Sequence, residues 1–370
     1  MINQYQTRLN TLQSHLAKEN IDVAIITSPA NVFYYTGFNC DPHERFMAIV
    51  MDNRNKEFYL FVPALDEEIA VDESFIKNII PILDEEDPFV KLKNKLSFKI
   101  QHIGLEMKEV SMYSHNQLQI VFPEASYDDI QGAINKQRLK KDRNEIECLQ
   151  EAVNIIEKVL AEGIKKVRNG MKESELTAEL EYLMKKFGAV GPSFSTIVLS
   201  GEKTAMPHGT PGDRRFQSGD FLLIDFGVIT KKGYCSDITR TFIIEEATEK
   251  SRKIYNIVLE SNRAGINAVK AGKALKTFDV AAREVIEKND YGNYFKNRVG
   301  HGLGIEVHEE PSIHGKNEQI AKIGLCFTIE PGIYIPNYGG VRIEDEVYIN
   351  EKGDVEVLTS FPKELQILGI

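Results

Sequence analysis

The chain has 370 residues, of which 42% are hydrophobic and 27% charged, and its formal net charge is −10. This composition is typical of a compact globular protein, and the length favours two domains. The acidic balance argues against a nucleic-acid partner, because phosphate binding requires a clustered positive surface. No apolar run approaches the roughly 18 residues needed to cross a bilayer, and no secretory signal is recognisable, so we expect a cytoplasmic protein without a membrane partner.

Residues 1–135 are predicted to form an N-terminal α/β domain with a mixed sheet. Leu9, Leu12 and Leu16 have the spacing of one helix face. Short apolar runs typical of buried strands follow, separated by helical patterns, at 22–27, 47–51, 58–62 and 100–105.

A basic run at 136–143 separates the two parts of the chain, and we interpret it as a solvated connector. Asp142 is followed three residues later by Glu145, the pattern of a capping box. It predicts a long helix that runs towards Arg168. The second domain is therefore expected to cover 136–370.

The second domain contains an internal repeat. Segments 221–244 and 325–349 share one plan: an apolar strand, an acid, one residue, a glycine, and a second apolar strand after a turn. We place the two turns at 231–233 and 336–339. The similarity predicts duplicated β-hairpins related by a pseudo-twofold axis.

Each predicted hairpin presents a pair of carboxylates. Folding about the turns brings Asp225 near Asp237, and Glu330 near Glu344. Four carboxylates in a partly buried place require cations or protons to neutralise them. Surface carboxylates are the alternative, but Asp225 and Glu330 lie within the apolar runs FLLIDFGV and CFTIEPGI. Two divalent metal ions would balance the charge.

His301 is the predicted fifth ligand. It stands between Gly300 and Gly302 in the sequence VGHGLG, where the backbone can approach a neighbour closely. An oxygen-rich set with one imidazole favours Mn²⁺ in the first place, with Co²⁺, Fe²⁺ or Zn²⁺ as alternatives. The thiol of Cys235 is a less favoured ligand for the same reason.

Five motifs in this order resemble one known family. The segment from about 140 to 365 is similar to the dinuclear metallopeptidases of the pita-bread fold, which include prolidase, aminopeptidase P and methionine aminopeptidase. The N-terminal sequences SPANVFYYTGF and DPHERFMAIV resemble the N-terminal domain of prolidases. The motifs of the second domain are IDFGV, SDITRTF, GHGLGIEVHEEP, TIEPGIYIP and GVRIEDEV.

The resemblance implies a catalytic pita-bread domain over 136–370 and hydrolysis of Xaa-Pro dipeptides by a hydroxide that bridges two metals. The substrate would be a small peptide with proline in second position, and the protein a homodimer. An aminopeptidase P acting on longer peptides is the alternative enzyme, and a non-catalytic pita-bread binding protein is the alternative class. The implied metal ligands are those proposed above: Asp225, Asp237, His301, Glu330 and Glu344.

The resemblance also implies roles for residues beside the metals. Glu330 would act as general base and later as general acid. His208 and His308 would hydrogen-bond the substrate carbonyl and the developing oxyanion. Asn297 stands where many relatives have a histidine, and this substitution is expected to alter the proline pocket or the pH profile.

Strand parity distinguishes neighbouring residues in GVRIEDEV. Arg342 and Glu344 are two apart and share a face, whereas Asp345 should point away. Arg342 is therefore the first candidate to bind the carboxylate of a dipeptide, ahead of Arg298 and Arg45. By the same rule, Thr239 shares the face of Asp237 and is expected to orient a ligand.

Overall fold

The computed structural model describes residues 4–96 and 98–369. The chain divides into two compact units, Met1–Arg138 and Leu139–Ile370. Within the basic run, Arg138 and Lys141 are buried, and Lys141 Nζ lies 2.8 Å from Glu309 Oε2. The interpretation of the whole run as solvated is thus wrong for these two residues. Among the residues described, no helix has both the length and the apolar character needed to cross a membrane.

A six-stranded mixed sheet forms the centre of the first unit, in the order β4-β3-β2-β1-β5-β6. The neighbours β1–β5, β3–β4 and β5–β6 are parallel, and the other two pairs are antiparallel. The four predicted strands are confirmed as β1, β2, β3 and β5. The two edge strands were not predicted, because β4 contains Pro81 and β6 has the polar sequence SYDD. The strands are β1 (Val23–Ile26), β2 (Ala48–Asp52), β3 (Glu57–Pro63), β4 (Ile79–Ile82), β5 (His102–Leu105) and β6 (Ser126–Asp129).

Six helices accompany this sheet. The first buries Leu9, Leu12 and Leu16, as their spacing predicts. The fourth and fifth pack on one sheet face, where Phe89 and Leu118 join the apolar side chains of β1, β2, β3 and β5. The helices are α1 (Gln4–Lys18), α2 (Pro29–Thr36), α3 (Glu67–Glu73), α4 (Pro88–Lys95), α5 (Met112–Val121) and α6 (Gln131–Leu139).

The first half of the second unit is an open sheet covered by a helix pair. The sheet has the order β19-β11-β9-β8. Helix α7 (Arg143–Gly163) begins at the predicted capping box of Asp142 and Glu145. It packs with α8 (Glu173–Lys186) against the even-numbered apolar residues of β9 and β11. The strands of this half are β7 (Gly191–Pro192), β8 (Ile197–Ser200), β9 (Phe221–Phe226), β10 (Val228–Ile229) and β11 (Ile238–Ile244), and the C-terminal β19 (Ile367–Leu368) joins them.

The second half repeats this plan. A sheet of order β13-β12-β14-β17-β18 and the ribbon β15-β16 pack against α9 (Glu249–Ala268) and α10 (Lys276–Lys288), whose apolar faces share one core with them. Each half is therefore a sheet with two helices on one face. The internal repeat predicted the duplicated hairpins but not these helices. The strands are β12 (Gly300–Gly302), β13 (Glu309–Ile313), β14 (Cys326–Ile329), β15 (Gly332–Ile335), β16 (Gly339–Arg342), β17 (Asp345–Ile349) and β18 (Val355–Val357).

The register of the second hairpin is confirmed, and that of the first is shifted. Ile329 lies opposite Asp345, and Gly332 opposite Arg342, so Glu330 and Glu344 stand at matching positions between these pairs. In the first hairpin Asp225 faces Thr239, not Asp237. The turn lies where predicted, since Ile229 faces Cys235 across Lys232, but the pairing inferred from it was two residues off. Because side chains alternate with period two, the shift leaves Asp237 on the predicted face.

Candidate metal centre and active site

Alternation along the paired strands gives each of them an apolar face and a polar face. Leu222 and Ile224 of β9, for example, pack against α7 and α8. Asp225 therefore points to the opposite side of its sheet, as does Thr239 from β11. The same rule directs Arg342 and Glu344 away from the core that buries Val341 and Ile343. The polar faces of the two halves meet in one cavity.

This cavity has a volume of about 380 Å³ and collects the residues singled out in the sequence of the second domain. The structure brings together all five predicted metal ligands, the two predicted histidines and the first-choice arginine, along with residues that were not predicted. The predicted residues on its wall are His208, Asp225, Asp237, Asn297, Arg298, His301, His308, Glu330, Arg342 and Glu344.

His301 stands at the centre of the acidic groups. One ligand atom each from Asp237, His301 and Glu344 lies within 4.8 Å of the other two. His301 Nε2 is 3.4 Å from Glu330 Oε1 and 3.6 Å from Asp237 Oδ2. Its Nδ1 lies 3.1 Å from the carbonyl oxygen of Gly302, which accepts the ring proton there. The lone pair is thereby assigned to Nε2, on the side of the carboxylates.

The two glycines beside His301 allow neighbouring strands to come close. A Cβ atom at Gly300 would lie 1.8 Å from the carbonyl oxygen of Thr328, and one at Gly302 would lie 2.1 Å from that of Glu310. Any side chain at these positions would therefore separate the strands that hold the imidazole. The predicted need for close backbone approach is confirmed, although His301 itself is buried.

Buried acids with unsatisfied oxygens fit a site for cations. Asp225, Asp237, His301 and Glu344 are 8%, 4%, 3% and 1% exposed. Within the described part of the chain, Asp225 Oδ1, Asp237 Oδ1 and Glu344 Oε1 have no hydrogen-bond partner. Leaving a buried carboxylate oxygen without a partner is costly, and a metal ion removes that cost. The donor set of carboxylates and one imidazole suits a catalytic divalent metal.

The pKa shifts report the same crowding of charge. Burial raises the pKa of Asp237 well above its ordinary value, and the carboxylates of Glu344 and Asp225 add to this. Burial also raises the pKa of Glu344 well above its ordinary value, although the hydrogen bond from Thr239 opposes this rise. For Glu330, burial raises the pKa to about 7 against the opposing charge of Arg342. Without a cation, these groups would therefore tend to hold protons.

The histidines show the opposite shift. Burial, with a smaller contribution from His308, lowers the pKa of His301 to about 3. The two rings meet edge to face with centroids 4.3 Å apart. Burial also lowers the pKa of His308, with a contribution from Arg298. Both rings are therefore neutral near pH 7, the form in which an imidazole can bind a metal or donate its single proton.

Thr239 joins two charged groups of the site, as its parity predicts. Its Oγ1 donates to Glu344 Oε2 at 2.7 Å and accepts from Arg342 Nε at 3.1 Å. On the other hairpin, Thr328 Oγ1 accepts from the backbone N–H of His301 at 3.1 Å. By bonding Glu344 and the backbone of His301, these hydroxyls fix the orientation of two proposed ligands.

Arg342 is buried and has three side-chain partners. Besides Thr239, its guanidinium contacts Asp225 Oδ2 and donates to the hydroxyl of Tyr334 at 2.8 Å. Arg298 is only half-buried, and its Nη1 lies 3.2 Å from Ser312 Oγ. Arg45 belongs to the first unit, where it pairs with Glu44 and Asp84. Two guanidinium groups therefore share the wall of the cavity.

Asp345 points away from the cavity, as predicted. It is fully buried and accepts from Arg240 Nη2 at 2.9 Å and from Lys363 Nζ at 2.7 Å. Burial acts to raise the pKa of Asp345, but the charges of Arg240 and Lys363 bring it below the ordinary value.

Cys235 donates its thiol proton to the carbonyl oxygen of Ile305. All four cysteines are free thiols.

Two residues of the site were missed. Glu346 is buried, and its Oε1 accepts from the backbone N–H of Asp237 at 2.7 Å; it is two residues after Glu344, so parity alone could have found it. Tyr334, the partner of Arg342, lies diagonally across the β15–β16 ribbon, where the predicted register would have placed it. The apolar wall residues Phe194 and Ile197 carry no comparable signal in the sequence.

Comparisons with known proteins cover both units of the chain. The family described as Metallopeptidase family M24 matches residues 147–351, and the Creatinase/Prolidase N-terminal domain matches residues 8–140. Three solved structures are similar over nearly the whole chain. A prolidase from Thermococcus sibiricus is 34% identical, with a TM-score of 0.93 and 100% of both chains covered.

An Xaa-Pro dipeptidase from Bacillus anthracis is 33% identical with a TM-score of 0.91, over 98% of this chain and 100% of the other. An X-Pro aminopeptidase from Thermotoga maritima MSB8 is 33% identical with a TM-score of 0.88, over 97% and 99%. The predicted fold class is confirmed: an N-terminal α/β domain is followed by a pita-bread domain.

Proposed function

Because the chain belongs to metallopeptidase family M24 and is a peptide hydrolase, we propose that it is an Xaa-Pro dipeptidase that releases free proline. One observation carries this proposal: the five side chains that we assign as metal ligands converge in one cavity of about 380 Å³, with three buried carboxylate oxygens lacking partners among the described residues. A non-catalytic binding protein would have no need to keep such a set together.

We assign two divalent cations to this set, with Mn²⁺ first and Co²⁺, Fe²⁺ or Zn²⁺ as alternatives. The ligands would be Asp225, Asp237, His301, Glu330 and Glu344. When bound, the cations would supply a water-derived nucleophile and polarise the substrate carbonyl.

Glu330 would take up the proton of the nucleophile and later deliver it to the leaving proline nitrogen. Burial raises the pKa of Glu330 to about 7 before any cation binds, and a carboxylate that holds a metal can still carry a proton on its free oxygen. His208 and His308 line the same cavity and would donate hydrogen bonds to the substrate carbonyl oxygen as it gains charge. The neutral state of His308 leaves it one ring proton to donate.

An Xaa-Pro bond has no N–H group, so the site must recognise the ring and the termini of the substrate. Arg342 remains the first candidate for the proline carboxylate, and Arg298 is the second. Arg342 contacts Asp225, and a cation bound to that carboxylate would compete with the guanidinium for it. Arg342 would then be available to the substrate. Replacing either arginine by Gln should raise KM for a dipeptide more than for the dipeptide amide.

An aminopeptidase P is the second candidate, because the similarity to an X-Pro aminopeptidase extends over 97% of the chain. The deciding experiment strips the protein with a chelator, restores each metal in turn, and measures cleavage of Ala-Pro and Ala-Pro-Ala. We expect faster cleavage of Ala-Pro and no activity without metal. Cleavage of the tripeptide alone would identify an aminopeptidase, and activity indifferent to chelation would exclude the metal mechanism. His301→Ala serves as the inactive control.

We also propose that the protein is a homodimer, on the strength of the family resemblance. Sedimentation equilibrium at micromolar concentration tests this directly. A mass near 42 kDa, that of the single chain, would contradict it.

A further inference from the structure

The segment that carries His208 is anchored at both ends. It leaves β8 after Ser200 and reaches Gly212 twelve residues later. His208 lies within a turn closed by the bond from Gly209 N to the carbonyl oxygen of Met206 at 2.8 Å. The imidazole lines the cavity although the residue is exposed. Its position therefore depends on how the ends of the segment are held.

One buried carboxylate holds both ends. Glu173, the first residue of α8, is 0% exposed. Its Oε1 accepts from the backbone N–H of Ser200 at 2.8 Å and from the hydroxyl of the same residue at 2.9 Å. Its Oε2 accepts from the backbone N–H of Gly212 at 3.0 Å. The carboxylate thus joins the end of β8 to Gly212, at the far end of the segment.

Lys203 adds a third connection within the segment. Its Nζ contacts Glu173 Oε2 and donates to the carbonyl oxygen of Thr210 at 3.1 Å, two residues after His208. Farther along the wall, Thr204 Oγ1 accepts from the backbone N–H of Gly340 at 2.6 Å. The segment is therefore tied to Glu173 on one side and to the strand of Arg342 on the other.

We propose that Glu173 is a positioning residue that holds His208 in place for catalysis. This inference rests on the role given to His208 in the proposed function. A carboxylate that only anchored α8 to β8 would need the donors of Ser200 alone. Here the remaining donors come from Lys203 and Gly212, on the segment itself. Hydrogen bonds to a buried charge are strong and directional, so one group can hold two chain ends at a constant separation.

The test variant is Glu173→Gln, which keeps the size of the side chain but turns an amide N–H₂ towards N–H donors. The matched control is Glu175→Gln, which makes the same charge change in the same helix turn, where the side chain is exposed and bonds the backbone of Lys172. Lys203→Met is a milder second variant, since its side chain is 25% exposed and its loss leaves Ser200 and Gly212 bound.

Hydrogen–deuterium exchange reports on the anchor without any activity measurement. We expect exchange of a peptide covering 201–212 to quicken roughly tenfold in Glu173→Gln and less in Lys203→Met, as hydrogen bonds are lost. Exchange of β9 and β11 should not change, nor should exchange in Glu175→Gln. An unchanged rate at 201–212 in both test variants would overturn the proposal.

Kinetics then test whether the anchor acts through His208. In the metal-loaded enzyme, Glu173→Gln should lower kcat by about 10- to 100-fold, with a smaller change in KM. Adding the substitution to His208→Ala should cost less than about twofold further. A full additional loss in that background would overturn the proposal, because Glu173 would then act elsewhere. If His208→Ala alone loses no activity, the role of His208 fails, while the exchange result still decides whether Glu173 holds the segment.

Discussion

Replacing Thr239 by Val should weaken metal binding without touching a ligand. The hydroxyl is fully buried and joins Glu344 Oε2 to Arg342 Nε at 2.7 and 3.1 Å. Valine keeps the shape but leaves a charged acceptor and a charged donor without this partner. Each such hydrogen bond is worth about 1.5–3 kcal/mol. Removal of a partner behind a ligand typically lowers metal affinity about 10- to 100-fold, or roughly 1.4–2.7 kcal/mol.

A change in the protonation of Glu344 should also weaken metal binding in Thr239→Val. The Thr239 hydrogen bond opposes the rise in the pKa of Glu344, so its loss lets protons compete better with metal. The assay is a competition titration of the metal-free protein against a chromophoric chelator near neutral pH, with thermal unfolding followed in parallel.

Thr241→Val is the matched control, since Thr241 lies on the same strand and face but bonds only the backbone of Arg342, at 2.9 and 3.2 Å. It should lose stability, by about 1 kcal/mol per bond, while its metal affinity stays within about twofold. Equal metal affinities in Thr239→Val and the wild type would refute the reasoning. So would an equal loss in both variants.

Two further predictions concern the same cluster, and a third concerns Asp345 outside it. In the metal-free protein, burial raises the pKa of Glu330 to about 7 from 4.5, so the stability that its protonated form contributes is lost as the pH rises through 7. The unfolding temperature should therefore be lower at about pH 8 than at about pH 6.5, and saturating Mn²⁺ should remove the difference; a flat profile without metal would contradict this. Glu344→Gln should lower metal affinity by more than the ~100-fold expected for an indirect partner, which isothermal titration would measure. Asp345→Asn, which weakens the pairing of buried Arg240, should cost roughly 3 kcal/mol in urea unfolding yet leave the number of bound metals unchanged.

The local sequence pattern alone was enough to predict many residues of the site. Period-two alternation separates Glu344 from Asp345 whatever the rest of the chain does, because neighbouring residues of a strand point to opposite faces. Asp225 lies within β9 and Glu330 directly after β14, at equivalent points of the repeated Ile-acid-x-Gly pattern. The two-residue error in the pairing of Asp225 did no harm, since a register shift of two keeps each side chain on its face.

The sequence by itself determined which residues point away from the apolar core, and the tertiary structure decided what they meet. Thr239 and Glu344 are 105 residues apart in the chain yet share a hydrogen bond, and Glu173 reaches Gly212 across 39 residues. Edge strand β6, with its polar sequence SYDD, likewise depends on its neighbour for hydrogen bonds and not on an apolar run of its own. A single sequence records the period of each segment, but register and loop anchoring arise only when distant segments pack together.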